Sequence, residues 1–281
     1  MIEIVDKRMK PDPSQISKQN KATLMLDHAA TAWFAVAVLG QLIFVVYIVA
    51  FYSRGVIAGD LALWNKVLAA GYEPGNTMGN TALAIHLLLA AVITIAGPLQ
   101  LIPQVRAKLP QFHRWSGRVY MATAVIMSLT GLYLIWVKGG VVGGVVQHTG
   151  TSLNALAILL FSYMATRYAM AGKFGIHRRW AIRLYLAVSG VWFFRVGLLF
   201  WLIVNKGPVG FNPKTFLGPF LDFLTFAQLL IPIAVLEVYF RVQQKAGANA
   251  RFAVAGALMI LTLAMGVGIF GASMGMWLPR I

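Results

Sequence analysis

The sequence predicts an all-α, multi-pass transmembrane protein: a bundle of about seven helices with a four-helix core. Composition is the first observation that supports this fold class. Hydrophobic residues make up 59% of the 281-residue chain and charged residues only 11%, which is too few charges for a soluble protein of this length. The second observation is that the apolar residues form long runs, separated by short segments rich in proline, glycine and basic residues.

Seven apolar segments are long enough to cross about 30 Å of hydrocarbon. They lie at about 29–52, 79–103, 112–137, 146–170, 178–204, 217–240 and 252–277. Proline and glycine separate most of them, in the order Pro74-Gly75, Pro103 to Pro110, Gly139 to Gly144, Gly172 to Gly175, Gly207-Pro208 and Pro213 to Pro219. Basic residues separate the last two segments.

The remaining part of the chain is the polar stretch 1–28. It lacks the apolar core and the cleavage site of a signal peptide. We therefore expect 1–28 to be a retained cytoplasmic tail and 29–281 to form a single transmembrane domain.

Lysine and arginine are concentrated in the N-terminal stretch and in alternate loops. These loops lie around 103–118, 167–183 and 241–251. Because short cytoplasmic loops carry an excess of basic residues, we expect the N-terminus in the cytoplasm and the C-terminus outside. The net charge of +16 is thus explained by orientation and by contact with lipid headgroups. It does not indicate a nucleic-acid partner.

Cysteine is absent from the chain. Its absence excludes covalent c-type haem attachment, cysteinyl iron–sulfur clusters and disulfides. The sequence also contains no paired carboxylates, phosphate-binding glycine loop or zinc-protease motif.

A short motif occurs twice, at the start of the third and of the fifth segment. It reads HRWSGRVY from His113 and HRRWAIRLY from His177, with one additional residue in the second copy. Each copy is preceded by a histidine on the previous segment, His86 or His148. Segments two to five thus read as two copies of one helical hairpin, packed around an axis along the membrane normal. This symmetry places His86 near His148 on the outer side and His113 near His177 on the inner side.

The stretch from about 84 to 200 resembles a bacterial family of predicted membrane proteins that carry a domain of unknown function. The resemblance is carried by GPLQ at 97–100, PQFHRWSGRVY at 110–120, HRRWAIR at 177–183 and Arg195. It implies a multi-pass fold and a location in the bacterial inner membrane, and it implies no particular activity.

The four histidines are also similar in arrangement to those of two-haem transmembrane b-type cytochromes, which reduce ferric iron or recycle ascorbate. That resemblance implies one or two b-type haems, ligated by His86 with His148 and by His113 with His177. The chain departs from the cytochrome pattern because His113 and His177 stand in the first helical turn of their segments.

Haem propionates need cations, and arginine pairs with carboxylates through two hydrogen bonds. The candidates for an inner site are Arg114, Arg118, Arg178, Arg179 and Arg183. Arg195 lies inside an apolar segment and is the candidate for an outer site. A charge there costs at least a few kcal/mol and requires an anionic or polar partner.

Three functions remain open from the sequence. The first is membrane electron transfer through haem b, as a transmembrane oxidoreductase with quinone or a redox complex as partner. The second is a non-catalytic accessory subunit, in which the histidines and Trp115, Trp180, Tyr120 and Tyr185 form an interfacial belt. In that case His86 bonds Asn154, Gln41 or Gln228, and Arg195 pairs with Asp222 or Glu237. The third is a small-molecule transporter, for which the sixth segment offers Asp222, Pro232 and Glu237.

Overall fold

Long helices account for most of the computed structural model, which describes residues 13–68, 71–139 and 143–281. The helices are α1 Pro13–Ile57, α2 Thr77–Leu101, α3 Pro103–Lys108, α4 Pro110–Tyr133, α5 Val145–Met170, α6 Phe174–Val188, α7 Gly190–Val204, α8 Pro219–Lys245 and α9 Ala248–Ala272. Short helical turns, Leu134–Lys138 and Ser273–Trp277, continue α4 and α9. The predicted all-α, multi-pass class is confirmed.

Local sequence explains where several helices begin. Proline occupies the first turn of α3, α4 and α8, where its missing N–H costs no hydrogen bond. Asn76 precedes α2 and accepts a hydrogen bond of 2.9 Å from the Gly79 N–H, which satisfies one of the unpaired donors of the first turn. In the adjacent loop, a hydrogen bond from Asn76, reinforced by the charge of Lys138, holds the pKa of Glu73 below its ordinary value.

The first helix is much longer than a membrane span. Its 45 residues correspond to about 68 Å at 1.5 Å per residue. The described part of the predicted tail, from Pro13, is therefore a helical extension of the first span, while residues 1–12 lie outside the described part of the chain. The extension packs on the α8–α9 turn, where Gln19 donates to the Ala246 carbonyl over 3.2 Å.

Five of the described helices are long and apolar enough to cross a membrane: α1, α2, α4 with its final turn, α8, and α9 with its final turns. The predicted fifth segment, 178–204, is not one straight helix. It is broken at Ser189, where α6 and α7 meet at an angle of 52°. A bent pair of this kind is either a broken span, which would be a sixth crossing, or a re-entrant loop. The predicted fourth segment corresponds to α5, which has the length of a span but is not among the five helices that are long and apolar enough to cross a membrane. It carries polar residues and buries Gln147, Asn154 and Ser162.

Segments two to five form a ring of helices. α2 packs on α4, α4 on α5 and α5 on α6, and α6 contacts α2. The hairpins α2–α4 and α5–α6 thus build the four-helix core. Outside the ring, α1 lies along α9, α7 packs on α9, and α8 packs on α5 and α7. The largest apolar cluster lies in this outer layer, around Phe44, Trp192, Ile269 and Trp277.

Candidate functional site

A cavity of about 2500 Å³ opens at the end of the bundle where α4 and α6 begin. We call it the basic cleft. His113 and His177 line it together with five arginines, which are Arg106, Arg114, Arg118, Arg178 and Arg179. Asp27 is the one carboxylate among the described residues that line it. The cleft therefore attracts anions.

Both copies of the repeated motif contribute to the basic cleft. His113 and His177 are half-buried and close enough to interact electrostatically. Further along the same helices, Tyr120 and Tyr185 meet at Gly97 of α2. A Cβ atom at Gly97 would lie 3.1 Å from the Tyr185 ring and 3.4 Å from the Tyr120 ring, so the absence of a side chain at Gly97 allows both tyrosines to approach.

His177 is held in one tautomer. Its Nδ1 lies 2.9 Å from the Ala165 carbonyl oxygen of α5. Because a carbonyl can only accept, Nδ1 carries a proton, and in the neutral ring Nε2 therefore keeps its lone pair. Histidines that ligate metals usually make this kind of hydrogen bond from their other ring nitrogen, since it fixes the ring and its tautomer.

The tautomer of His113 depends on Gln100, the last residue of the GPLQ motif. In the orientation that gives both ends of its amide a partner, the Gln100 nitrogen lies 3.2 Å from His113 Nδ1 and donates to it. The imidazole proton is then on Nε2. A half-turn of the Gln100 amide would bring its oxygen to His113 Nδ1 instead. His113 would then donate from Nδ1 to this oxygen and leave the Nε2 lone pair free, as His177 does.

The arginines differ in their partners. Arg183, a predicted propionate ligand, is bound by Glu237 of α8 over 2.6 Å, and it is not among the residues that line the cleft. The ion pair can form because α6 and α8 pack together at this level. It neutralises the charge of Arg183. Arg118 lies over the Trp115 ring and Arg179 over the Phe240 ring. Within the described ranges, no carboxylate lies at ion-pair distance from the five arginines that line the cleft.

Two unpartnered polar atoms lie inside the basic cleft. Tyr120 starts about 10 Å along α4 from His113, is 3% exposed, and its hydroxyl has no hydrogen-bond partner. The Gln228 carbonyl of α8 is also buried without a partner. The tyrosines are thus part of the interior and do not belong to the predicted interfacial belt. Sequence reasoning missed this role, although the position of Tyr120 and Tyr185 at the ends of the repeated motif was a signal for it.

The Tyr185 hydroxyl, in contrast, is bonded. It donates to the Gln41 Oε1 of α1 over 3.0 Å, and Gln41 Nε2 donates to Ser189 Oγ over 3.0 Å. These bonds connect the cleft to the break between α6 and α7. These bonds engage both the oxygen and the nitrogen of the Gln41 amide, which the sequence suggested as a partner for His86.

The other two histidines have separate surroundings. His86 Nδ1 lies 3.0 Å from Thr130 Oγ1 on α4, and Thr130 donates its own proton to the Ile126 carbonyl, so His86 is the donor. The expected bond to Asn154, Gln41 or Gln228 is not formed, because α2 presents His86 to α4. The His148 ring packs edge-on against Trp136, with 6.0 Å between ring centroids.

Arg195 has neither of its expected acidic partners. Asp222 accepts a hydrogen bond of 3.2 Å from Gln147, and Glu237 binds Arg183. The Arg195 guanidinium donates to the Val191 carbonyl of its own helix over 3.1 Å and lies 5.5 Å from the centre of the Phe44 ring.

A bundle with five helices that are long and apolar enough to cross a membrane, or six spans if the bent pair is one of them, is an integral membrane protein. The chain belongs to the family of predicted membrane proteins designated DUF2306, whose model matches residues 83–231. The matched range contains the four histidines discussed above and Arg195. No curated protein and no solved structure matches the chain.

Proposed function

We propose that the basic cleft binds an amphipathic, anionic cofactor, and that this cofactor is one b-type haem held between His113 and His177. The observation that carries the proposal is the meeting of two half-buried histidines and five arginines in one cavity of about 2500 Å³. The protein would then act in membrane electron transfer, with quinone or a redox complex as partner. Its basic end would face the cytoplasm of a bacterial inner membrane.

The chemistry of the side chains fits this cofactor. A histidine could hold the iron of a b-type haem only through an imidazole lone pair. The Ala165 carbonyl already leaves His177 with a free Nε2, and a half-turn of the Gln100 amide would do the same for His113. Arg114, Arg118 and Arg178 are exposed at the mouth, where they could bind the propionates in a bidentate manner. When bound, haem would supply one-electron redox chemistry that these side chains lack.

The inner pair is favoured over the outer pair by what surrounds each ring. His113 and His177 share a cavity, whereas His86 faces Thr130 and His148 packs on Trp136. We therefore propose a single haem. A two-haem arrangement like that of the cytochromes would require a second cavity between His86 and His148.

The proposal is tested by purification in mild detergent after haem-replete expression, followed by a pyridine haemochromogen spectrum. We expect about one b-type haem per chain, and loss of haem in His113→Ala and in His177→Ala, since each variant lacks one of the two imidazoles that would hold the iron. His28→Ala, at an exposed position of α1, is the matched control and should retain the cofactor. A colourless wild-type protein, or full haem content in both cleft variants, would refute haem binding at this site.

A second candidate for the same cleft is a quinone-type ligand. It is favoured by the free Tyr120 hydroxyl and the free Gln228 carbonyl, since a quinone carbonyl accepts a hydrogen bond and a quinol hydroxyl donates one. A preparation that contains no haem but releases quinone on extraction with organic solvent would favour this candidate. A preparation with neither would favour the accessory-subunit or transporter hypothesis.

A further inference from the structure

A second cluster of polar side chains lies in the other half of the bundle, around Arg195. Arg195 stands nine residues before the end of α7 at Val204, which is roughly 13 Å along the helix. Tyr47, Tyr52 and His86 are within electrostatic range of its guanidinium. We call these four residues the arginine cluster. Arg195 is not among the residues that line the basic cleft.

The hydrogen-bonding capacity of Arg195 is largely unused. A guanidinium has five N–H donors, and the one hydrogen bond of Arg195 goes to Val191. No carboxylate in the described part of the chain lies within ion-pair distance of it. Because a charged group in hydrocarbon is costly unless it is paired or reached by water, this arrangement favours a partner that the described residues do not provide.

The other members of the arginine cluster define the charge of that partner. His86 directs its Nδ1 proton to Thr130, so this nitrogen is already bonded within the protein. The Tyr47 and Tyr52 hydroxyls interact with each other, and Phe44 provides an apolar wall. Arg280, which donates to the Met276 carbonyl, is also within electrostatic range of both tyrosines. The surroundings of Arg195 are therefore positively charged, with hydroxyl groups and an aromatic ring nearby.

We propose that the arginine cluster binds an oxyanion, a carboxylate or a phosphodiester, through Arg195. Both groups present two oxygens that match the guanidinium fork. A phosphodiester would come from a lipid headgroup and a carboxylate from a small amphipathic solute. The proposal does not depend on what occupies the basic cleft.

The test measures thermal unfolding by tryptophan fluorescence, since a ligand that binds the native state raises the unfolding temperature. The protein is kept in an uncharged maltoside detergent, which contains no phosphate, with and without added phosphatidylglycerol, and is separately titrated with acetate against chloride at equal ionic strength. We expect a rise in unfolding temperature with one of the two probes. A rise with phosphatidylglycerol identifies a lipid source and a rise with acetate a soluble one.

Variants link the response to Arg195. Arg195→Gln should lose the rise, and Arg195→Lys should keep a reduced one, because lysine retains the charge but not the fork. Arg54→Gln is the control, since Arg54 lies at the exposed end of α1 and donates to the Ile281 carbonyl. If Arg195→Gln does not fold, the test depends on whether Arg195→Lys shows a smaller rise in unfolding temperature than the wild type. A wild-type protein that responds to neither probe, or Arg195 variants that respond fully, would overturn the proposal. His177→Ala should respond as wild type, which separates this test from that of the cleft.

Discussion

The hydrogen bond at Nδ1 determines whether the Nε2 atom of a neutral imidazole carries a proton or a lone pair. The Ala165 carbonyl and the Thr130 hydroxyl each accept from an Nδ1–H, so His177 and His86 both present a free Nε2 lone pair. His113 faces an amide instead, and an amide offers either a donor or an acceptor. Its ligand-binding state thus depends on the rotation of one side chain, Gln100.

This dependence gives a prediction for Gln100. Gln100→Leu removes the group that orients His113, so we expect the haem affinity of the apo-protein to fall about 10- to 100-fold, as for other residues that orient metal ligands. Gln104→Leu is the matched control, because Gln104 also lines the cleft but is not bonded to a histidine. Absorbance titration with haem measures both. Equal affinities of the two variants would mean that Gln100 does not act on His113.

At the residue scale, the sequence indicated which side chains are chemically important better than it indicated their hydrogen-bond and ion-pair partners. The histidines and arginines stood out because ionisable side chains are rare in apolar segments. Their pairing depends on which helices come together. Arg183 lies 54 positions from Glu237 in the sequence, and no periodicity within α6 predicts the bond between them. Tyr120 and Gln228 were assigned to an interfacial belt and to a bond with His86, because tyrosine is common at membrane interfaces and glutamine in helix contacts.

Helix lengths were largely predictable, whereas the break at Ser189 was not. Apolar runs and prolines indicate where helices begin, and α2, α4, α8 and α9 follow them closely. The segment around Ser189 contains no proline and reads as continuous. The bend coincides with tertiary contacts: Gln41 bonds Ser189, and Asn154 bonds the Ala187 carbonyl. Gly190 packs directly on Asn154.

Contacts between helix backbones also determine how α7 and α9 pack. A Cβ atom at Gly268 would overlap the Val196 carbonyl, whereas one at Gly266 would meet nothing within 4 Å. We expect Gly268→Ala to destabilise the protein by about 1–3 kcal/mol through overpacking. Gly266→Ala should be neutral or stabilising by up to about 1 kcal/mol, because alanine has the higher helix propensity. Unfolding in mixed micelles with increasing SDS would measure both, and equal stabilities would argue against a close α7–α9 contact.

At the scale of the whole molecule, the internal repeat predicted the ring of four helices but not the layer around it. The repeat implied that the hairpins α2–α4 and α5–α6 pack side by side, and they do. The association of α1 with α9 depends on the shapes of their surfaces, such as the fit of Gly40 against Ile269 and Trp192. Apolar runs of similar composition do not reveal such a fit. The basic cleft depends on both layers, because residues of α1, α7, α8 and α9 complete its walls.

The distribution of charge over the whole molecule predicts how it lies in the membrane. The basic cleft and the α8–α9 turn gather arginines at one end of the bundle, whereas the α7–α8 loop at the other end carries only Lys206 and Lys214. By the positive-inside rule, the cleft should open to the cytoplasm.

The chain lacks cysteine, so single-cysteine variants have no background labelling. With a membrane-impermeant maleimide, we expect Thr215→Cys to be labelled in intact cells and Gln111→Cys only after permeabilisation. Labelling of Gln111→Cys in intact cells would reverse the orientation, and the anionic ligand of the cleft would then have to come from outside the cell.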